Sequence, residues 1–127
     1  MINARSSSFV RVGAYSNNSG LTFHNVTILN GLVQPLHGCE GSTTYHQNTR
    51  QLFYSGVHDT STRHNLSLHI RNDNGGNWKF IKTIWSGPSA YSSLTTLNDQ
   101  SVAVLYEAGS TRPYETITLS IVYNYTE

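Results

Sequence analysis

The sequence of 127 residues is short of cysteine and of charge, and each shortage excludes a class of protein. Cys39 is the single cysteine, so neither an intrachain disulfide framework nor a cluster of structural zinc thiolates can form. Only 12% of the residues are charged and the formal net charge is +1, a balance that steers a protein neither to nucleic acid nor to an anionic membrane. The six histidines show no metal-ligand spacing. We therefore expect no metal, no other cofactor and no nucleic-acid partner.

Long apolar runs are also missing from the sequence. The longest is far shorter than the roughly 20 residues that a membrane-spanning helix needs. No basic segment followed by an apolar one opens the chain, so no signal peptide is predicted. What remains is a polar chain rich in serine, threonine and asparagine, whose length suits one domain over residues 1–127.

The pattern of side chains favours strands throughout. Residues that suit strands outnumber helix formers, and no stretch carries the apolar stripe of an amphipathic helix. Alternation of apolar and polar residues predicts strands at 9–15, 52–57, 66–70, 80–85, 102–106 and 116–123. Turn residues separate them at 17–20, 30–31, 72–77, 86–88, 97–100 and 108–110. The sequence therefore predicts an all-β protein.

Two of these turns share a pattern, S-x-[DN]-x-G-x-x-[WF]. Residues 16–23 fit it fully, and residues 71–78 fit it except that Arg71 replaces the serine. In such a turn an Asp or Asn side chain accepts backbone N–H bonds, glycine takes a positive φ, and the aromatic residue folds back into a core. Two unrelated turns rich in Asn and Gly are the alternative. A repeat of about 55 residues that contains short strands is typical of propeller blades.

The turn pattern resembles the Asp box of sialidases (neuraminidases), which are six-bladed β-propellers, although other propellers carry it too. Further segments are similar to sialidase segments and follow in the same order along the chain: 2–5, 38–42, 61–68, 87–94 and 104–107. The resemblance covers nearly the whole chain and is nearest to the animal lysosomal-type sialidase. It implies an all-β fold made of propeller blades.

The resemblance implies a role for one residue in each of these segments. Arg5 and Arg63 would be the second and third arginines of a triad that clamps the substrate carboxylate. Tyr91 would be the catalytic nucleophile. Glu40, where the family has Gln in G-C-Q-G-S, would line the pocket, and Glu107 would brace the first arginine of the triad.

The chemistry of sialic acid explains why such residues are needed. Its anomeric carbon bears a carboxylate, which the planar fork of arginine binds through two parallel N–H donors. A carboxylate nucleophile would be repelled by that charge, whereas a neutral phenol is not. A phenol with a pKa near 10 is a poor nucleophile until a neighbouring base takes its proton.

The resemblance also implies that part of the machinery lies upstream. In the family the first triad arginine, the acid/base Asp and the Glu that activates the tyrosine all precede the segment matched by residues 2–5. The chain then corresponds to the C-terminal part of the enzyme, about two and a half blades out of six. We expect an exo-α-sialidase that releases terminal sialic acid from glycoproteins, glycolipids or oligosaccharides with retention. The chain alone is expected to be inactive.

Two other functions compete with this interpretation. A non-catalytic carbohydrate-binding or interaction propeller would keep Asp boxes but need not keep both arginines and the tyrosine. A gene fragment without independent function would expose open sheet faces and edges, so it would be unstable or self-associate.

Purely structural roles are the alternative for several of these residues. A strand-end arginine is usually an exposed one, which is our interpretation of Arg11, Arg50, Arg71 and Arg112. The lone thiol of Cys39 is expected to be buried. Glycosylation sequons occur at Asn17, Asn25, Asn65 and Asn124 and fit a lysosomal or other secretory route. Peripheral membrane association is a further expectation.

Overall fold

The computed structural model describes residues 1–98 and 100–125, in which all regular structure is strand. The strands are β1 (Ile2–Ala4), β2 (Val10–Tyr15), β3 (His24–Val33), β4 (Gly41–His46), β5 (Gln51–Val57), β6 (His64–Asn72), β7 (Lys79–Asn98), β8 (Ser101–Ala108) and β9 (Thr116–Tyr123). The prediction of an all-β protein is confirmed. No helix in the described ranges is long and apolar enough to cross a membrane.

Within each sheet, every strand pairs antiparallel with its neighbours along the chain. One sheet has three strands in the order β1-β2-β3, and the other has six strands in the order β4-β5-β6-β7-β8-β9. The long strand β7 pairs with β6 through its first half and with β8 through its second half. The second half of β7 also contacts β4, where Leu94 donates its backbone N–H to Ser42 Oγ at 3.1 Å. The resulting curled sheet has the form of part of a β-propeller.

Two predicted turns lie inside strands, so these predictions were wrong. Residues 30–31 belong to β3 and residues 86–88 belong to β7. Pro88 is tolerated because it sits where β7 changes partner, facing His64 of β6 just before Ser89 pairs with Ala108 of β8. Because the pairing changes at this point, the N–H group that proline lacks is not needed for a hydrogen bond between the strands.

Three apolar clusters hold the strands together. The largest fills the space between the two halves of the six-stranded sheet: Phe53, Leu66, Leu68, Ile70, Leu94, Val102, Val104, Tyr106, Ala108, Val122 and Tyr125. A second cluster joins the two sheets: Leu29, Leu32, Tyr54 and Trp78. A third consists of Cys39, which is 1% exposed as expected, Val57 and Ala90.

The two turns that share a sequence pattern differ in structure. Asn18 closes its own turn, since its Oδ1 accepts the backbone N–H of Thr22 at 3.0 Å. The carboxylate of Asp73 instead accepts a bond from Arg50 Nε at 2.9 Å. Trp78 is buried as predicted, whereas Phe23 is 43% exposed and does not enter a core. The expectation for the first aromatic residue was therefore wrong.

Gly31 marks a point where the two sheets come too close for a side chain. Its φ is +93°, and a Cβ there would lie 2.1 Å from the carbonyl oxygen of Trp78. We expect Gly31→Ala to lower the free energy of unfolding by more than about 2 kcal/mol, measured by denaturant titration. Gly76→Ala is the matched control, because its φ is +94° and no atom lies within 4 Å. Equal losses in both variants would contradict the close contact.

Candidate functional site

Two connections and the middle of β7 meet at one end of the six-stranded sheet. The backbone N–H of Ser89 donates to the carbonyl of Arg63 at 2.9 Å, and that of Gly109 donates to the carbonyl of Pro88 at 3.0 Å. These bonds tie together the segments 58–63, 86–88 and 109–115. Side chains that are far apart in the sequence therefore lie at one rim.

Tyr91 reaches this rim because of strand alternation. Its neighbours Ala90 and Ser92 are buried, so the Tyr91 side chain points to the opposite face and is 42% exposed. Its backbone N–H donates to Glu107 Oε2 at 3.1 Å. Among the described residues, the Tyr91 hydroxyl has no hydrogen-bond partner.

Arg63 lies between two tyrosines. Its guanidinium carbon is 5.7 Å from the centroid of the Tyr91 ring, within the range of a cation–π contact. On another side, Nη1 donates to the hydroxyl of Tyr114 at 2.5 Å. Two sequence-predicted residues, Arg63 and Tyr91, are thus brought together.

The segment that leads to Arg63 is folded around Asp59. The Asp59 carboxylate accepts the backbone N–H groups of Ser61 at 2.7 Å and of Thr62 at 3.0 Å. These bonds, the Ser61 N–H first among them, hold the pKa of Asp59 below its usual value. The carboxylate therefore stays charged and fixes the turn that presents Arg63.

Tyr114 was missed by the sequence analysis. Its turn is built by Glu115, whose carboxylate accepts the backbone N–H groups of Ser110, Thr111 and Arg112. The Ser110 N–H, followed by that of Arg112, keeps the pKa of Glu115 low. The sequence could have indicated this turn, because a glutamate follows the segment Gly-Ser-Thr-Arg-Pro. It gives no indication that Tyr114 contacts Arg63.

Two carboxylates hold consecutive backbone groups of the strand that carries Tyr91. Glu107 accepts from Tyr91, and Glu40 Oε2 accepts the N–H of Ser92 at 2.9 Å. Both carboxylates line a shallow pocket of about 280 Å³, with a mainly apolar floor that includes Leu105. Within the described ranges no arginine forms an ion pair with Glu107, so its predicted bracing role stays a prediction.

Arg5 is exposed at the end of β1, and no described residue forms a hydrogen bond with its side chain. Gly38 has a φ of +73°, and a Cβ there would lie 2.5 Å from the Cβ of Arg5. The segment that carries Glu40 can therefore pass directly against Arg5. The structure brings these two segments together, but it shows no contact between Arg5 and the pair of Arg63 and Tyr91.

Arg11 and Arg71 are buried, so their interpretation as exposed arginines was wrong. Arg11 is 2% exposed and donates to Asn3 Oδ1 and to the carbonyl oxygen of Cys39, both at 2.6 Å. Arg11 thereby links the strand that carries Asn3 to the segment that carries Cys39. Arg71 is 7% exposed and lies 5.2 Å from the ring centroid of Trp78. Each buried guanidinium is compensated by hydrogen bonds or an aromatic face.

In the part of the chain that the structure describes, no three His, Cys, Asp or Glu side chains are placed to hold a metal ion. Burial raises the pKa of the Cys39 thiol, in spite of the nearby charge of Arg63. This thiol is therefore neutral and inert.

Comparisons with known proteins point to one family. Residues 1–104 match the BNR repeat-like domain. Mouse sialidase-2 is 31% identical over 94% of this chain and 35% of its own length, and rat sialidase-2 is 30% identical over 86% and 33%. The chain thus spans about a third of the length of the curated relatives it matches.

Solved structures agree on the fold. The leech intramolecular trans-sialidase, complexed with 2,7-anhydro-Neu5Ac, has a TM-score of 0.74 at 18% identity, over 95% of this chain and 21% of its own. The intramolecular trans-sialidase of Ruminococcus gnavus, in complex with oseltamivir carboxylate, has a TM-score of 0.73 at 17% identity, over 95% and 29%. At such identities the likeness shows the fold alone, that of part of a sialidase propeller.

Proposed function

Because this chain belongs to the sialidase family, we propose that it forms part of an exo-α-sialidase and carries the nucleophile and part of the carboxylate clamp. The observation that supports this most is the contact between Arg63 and the exposed ring of Tyr91, at 5.7 Å. A fixed cation beside an exposed phenol suits a substrate whose anomeric carbon bears a carboxylate.

In this proposal the arginines bind and the tyrosine reacts. Arg63, together with Arg5, binds the carboxylate of a terminal sialic acid. The Tyr91 oxygen attacks the anomeric carbon as a base takes its proton, and the aglycone leaves with a proton from a general acid. Water then attacks the same carbon and gives a proton to the former general acid, while the tyrosine oxygen leaves and takes its proton back from the base, so two inversions give net retention. Glu40 lines the pocket.

The base and the acid come from the rest of the propeller in this proposal. Glu107 contacts Tyr91 directly, but its Oε2 accepts the Tyr91 backbone N–H and does not bind the hydroxyl. We assign it to bracing an arginine from an upstream blade, as the family resemblance implies. The isolated chain is therefore proposed to be inactive.

A non-catalytic carbohydrate-binding module is the second candidate. It is favoured by the Tyr91 hydroxyl, for which the described residues supply no base. Such a module would still bind sialic acid through Arg63. It would differ from the enzyme by binding without turnover.

The surroundings of the site suggest further partners. The outer face of β9 exposes a row of apolar side chains: Ile117, Leu119, Ile121 and Tyr123. We propose that the isolated chain self-associates through this face, since exposed apolar strands seek partners. We further propose a glycoprotein or glycolipid substrate and peripheral membrane association. We also propose a lysosomal or other secretory location, which the exposed sequons at Asn17 and Asn25 support.

Turnover of a fluorogenic sialoside separates the two candidates. The full-length native protein that contains this chain is expected to hydrolyse the sialoside. The isolated chain is expected not to hydrolyse it. A matched fluorogenic galactoside is the control for general glycosidase activity. Binding of N-acetylneuraminic acid by the native protein without turnover would favour the non-catalytic module, and turnover of the galactoside alone would contradict both.

A further inference from the structure

One of the two tryptophans lies exposed near the rim of the candidate site. Trp85, on the part of β7 that pairs with β6, is 39% exposed, whereas Trp78 is 4% exposed. Trp85 belongs to none of the three apolar clusters that the described residues form. A large aromatic ring at the wall of a concave site offers much apolar surface to a ligand.

The backbone beside Trp85 is shaped to receive the indole ring. A Cβ on Gly87 would lie 2.8 Å from Trp85 Nε1 and 3.2 Å from the carbonyl oxygen of Gly109. The edge of the indole, Gly87 and Gly109 are therefore so close together that a side chain at position 87 would collide with them. This contact fixes the ring before any ligand binds, which lowers the entropic cost of binding.

A cavity of about 220 Å³ opens beside the indole ring. Its walls include Trp85, Gly109, Ser110, Glu115 and Thr118, so the cavity lies between β7, the segment 109–115 and the start of β9. This volume is below the roughly 300 Å³ at which sites for drug-sized ligands begin. The cavity therefore suits a small ligand, such as a single sugar ring.

The carboxylate of Glu115 is already occupied. Its Oε2 accepts the backbone N–H of Ser110 at 2.9 Å and the hydroxyl of the same residue at 3.2 Å. Its Oε1 accepts the N–H groups of Thr111 at 3.1 Å and of Arg112 at 2.7 Å. A carboxylate has about four lone-pair sites, so Glu115 has no capacity left for a ligand. The cavity therefore suits a neutral ligand.

The hydroxyl groups at the start of β9 supply free acceptors. Thr116 Oγ1 donates its one hydrogen to the carbonyl of Ala108 at 2.9 Å. In the contact of 3.2 Å between Thr116 Oγ1 and Thr118 Oγ1, the donor is therefore Thr118. The lone pairs of Thr118 Oγ1 accept no hydrogen bond from the described residues. An indole face next to such an acceptor suits a sugar, which has an apolar C–H face and hydroxyl groups.

The stereochemistry of the proposed reaction indicates which sugar this is, so the inference rests on the proposed function. Tyr91 attacks the anomeric carbon from one side, and the leaving oxygen departs on the opposite side. The carboxylate is attached to the same carbon, so the leaving group lies close to Arg63. On the side of Arg63 other than that of Tyr91 lies Tyr114, which is 60% exposed. Tyr114 directly precedes Glu115, a wall residue of the cavity.

We propose that Trp85 and Tyr114 form the subsite for the aglycone sugar, the neutral hexose to which the terminal sialic acid is attached. The hexose stacks its C–H face on Trp85 and donates a hydroxyl hydrogen to Thr118 Oγ1. Tyr114 lies between this sugar and the carboxylate on Arg63. The subsite favours sialosides whose leaving group is a sugar over those whose leaving group is small.

Two substrates that differ only in the leaving group test the subsite in the full-length native protein. They are methyl sialoside and sialyllactose, in whichever linkage the wild type cleaves faster. Trp85→Ala should lower kcat/KM about tenfold for sialyllactose and less than about twofold for methyl sialoside. Trp85→Phe keeps an aromatic face and should stay within about threefold of the wild type for both.

Tyr45→Ala is the control for loss of an exposed aromatic ring. Tyr45 is 48% exposed and binds Asp73 outside the site, so both substrates should be turned over as by the wild type. A structural role of Trp85 would lower kcat/KM for both substrates equally. That result, or wild-type values for sialyllactose in Trp85→Ala, would overturn the subsite.

Binding of free lactose decides the matter where Trp85→Ala does not fold or the wild type turns over neither substrate. Lactose should shift the indole N–H resonance of Trp85 in the wild-type protein and leave that of the buried Trp78 in place. Absence of turnover together with this shift would refute the proposed function but support a neutral-sugar site at Trp85. An unshifted Trp85 resonance at saturating lactose would overturn the subsite, whatever the activity.

Discussion

Replacing Tyr91 with phenylalanine is expected to lower kcat for a fluorogenic sialoside by at least about a thousandfold in the native protein. The reason is that the substitution removes the one oxygen proposed to bond to the anomeric carbon. The ring remains, so the cation–π contact with Arg63 and the positions of the strand and clamp are retained.

The same substitution should leave folding and binding unchanged. The Tyr91 side chain is 42% exposed, and its hydroxyl has no hydrogen-bond partner among the described residues, so its removal leaves no group unsatisfied. Tyr123→Phe, at a tyrosine that is 66% exposed on β9, is the matched control for loss of a phenol. Wild-type turnover by Tyr91→Phe would remove the basis for a tyrosine nucleophile.

Replacing Arg63 with lysine should mainly weaken substrate binding. Lysine keeps the charge but loses the planar fork that bonds a carboxylate with two parallel donors. Loss of a charge-assisted hydrogen bond of about 1.5–3 kcal/mol corresponds to a rise in KM of roughly 10- to 150-fold. The contact of Nη1 with Tyr114 would be lost as well, which leaves the ammonium group less well positioned.

Arg112→Lys is the control for this variant. Arg112 lies in the neighbouring turn and is exposed, and its backbone rather than its side chain contacts Glu115. Steady-state kinetics with the fluorogenic sialoside should separate the two variants through KM. A KM for Arg63→Lys equal to that of Arg112→Lys would show that Arg63 does not hold the substrate carboxylate.

Strands with alternating side chains could be predicted from the sequence. In residues 116–123 the alternation of apolar and threonine or serine residues coincides with β9, although its apolar side chains lie on the exposed face. β3 escaped prediction because Asn30 and Gly31, which signal a turn, lie inside it. The length of β7 could not be foreseen either, because Gly87 and Pro88 signal a turn unless the change of pairing partner is known.

The residues of the candidate site were proposed from the sequence, but their contacts could not be. Family resemblance pointed to Arg63 and Tyr91, yet their juxtaposition depends on a sheet register that the sequence does not contain. Tyr114 has no local signature, since its partner is 51 positions away. The burial of Arg11 could not be predicted from the sequence, because the carbonyl of Cys39 that accepts a hydrogen bond from its guanidinium comes from a distant segment.

Covalent trapping tests the central claim most directly. The native protein is incubated with a fluorinated sialyl fluoride, which forms a glycosyl-enzyme that breaks down slowly, and the labelled peptide is identified by mass spectrometry. A sialyl adduct on the Tyr91 oxygen is the predicted result. An adduct on Glu107 or on another side chain, or sialoside turnover with inversion and no adduct, would contradict the account.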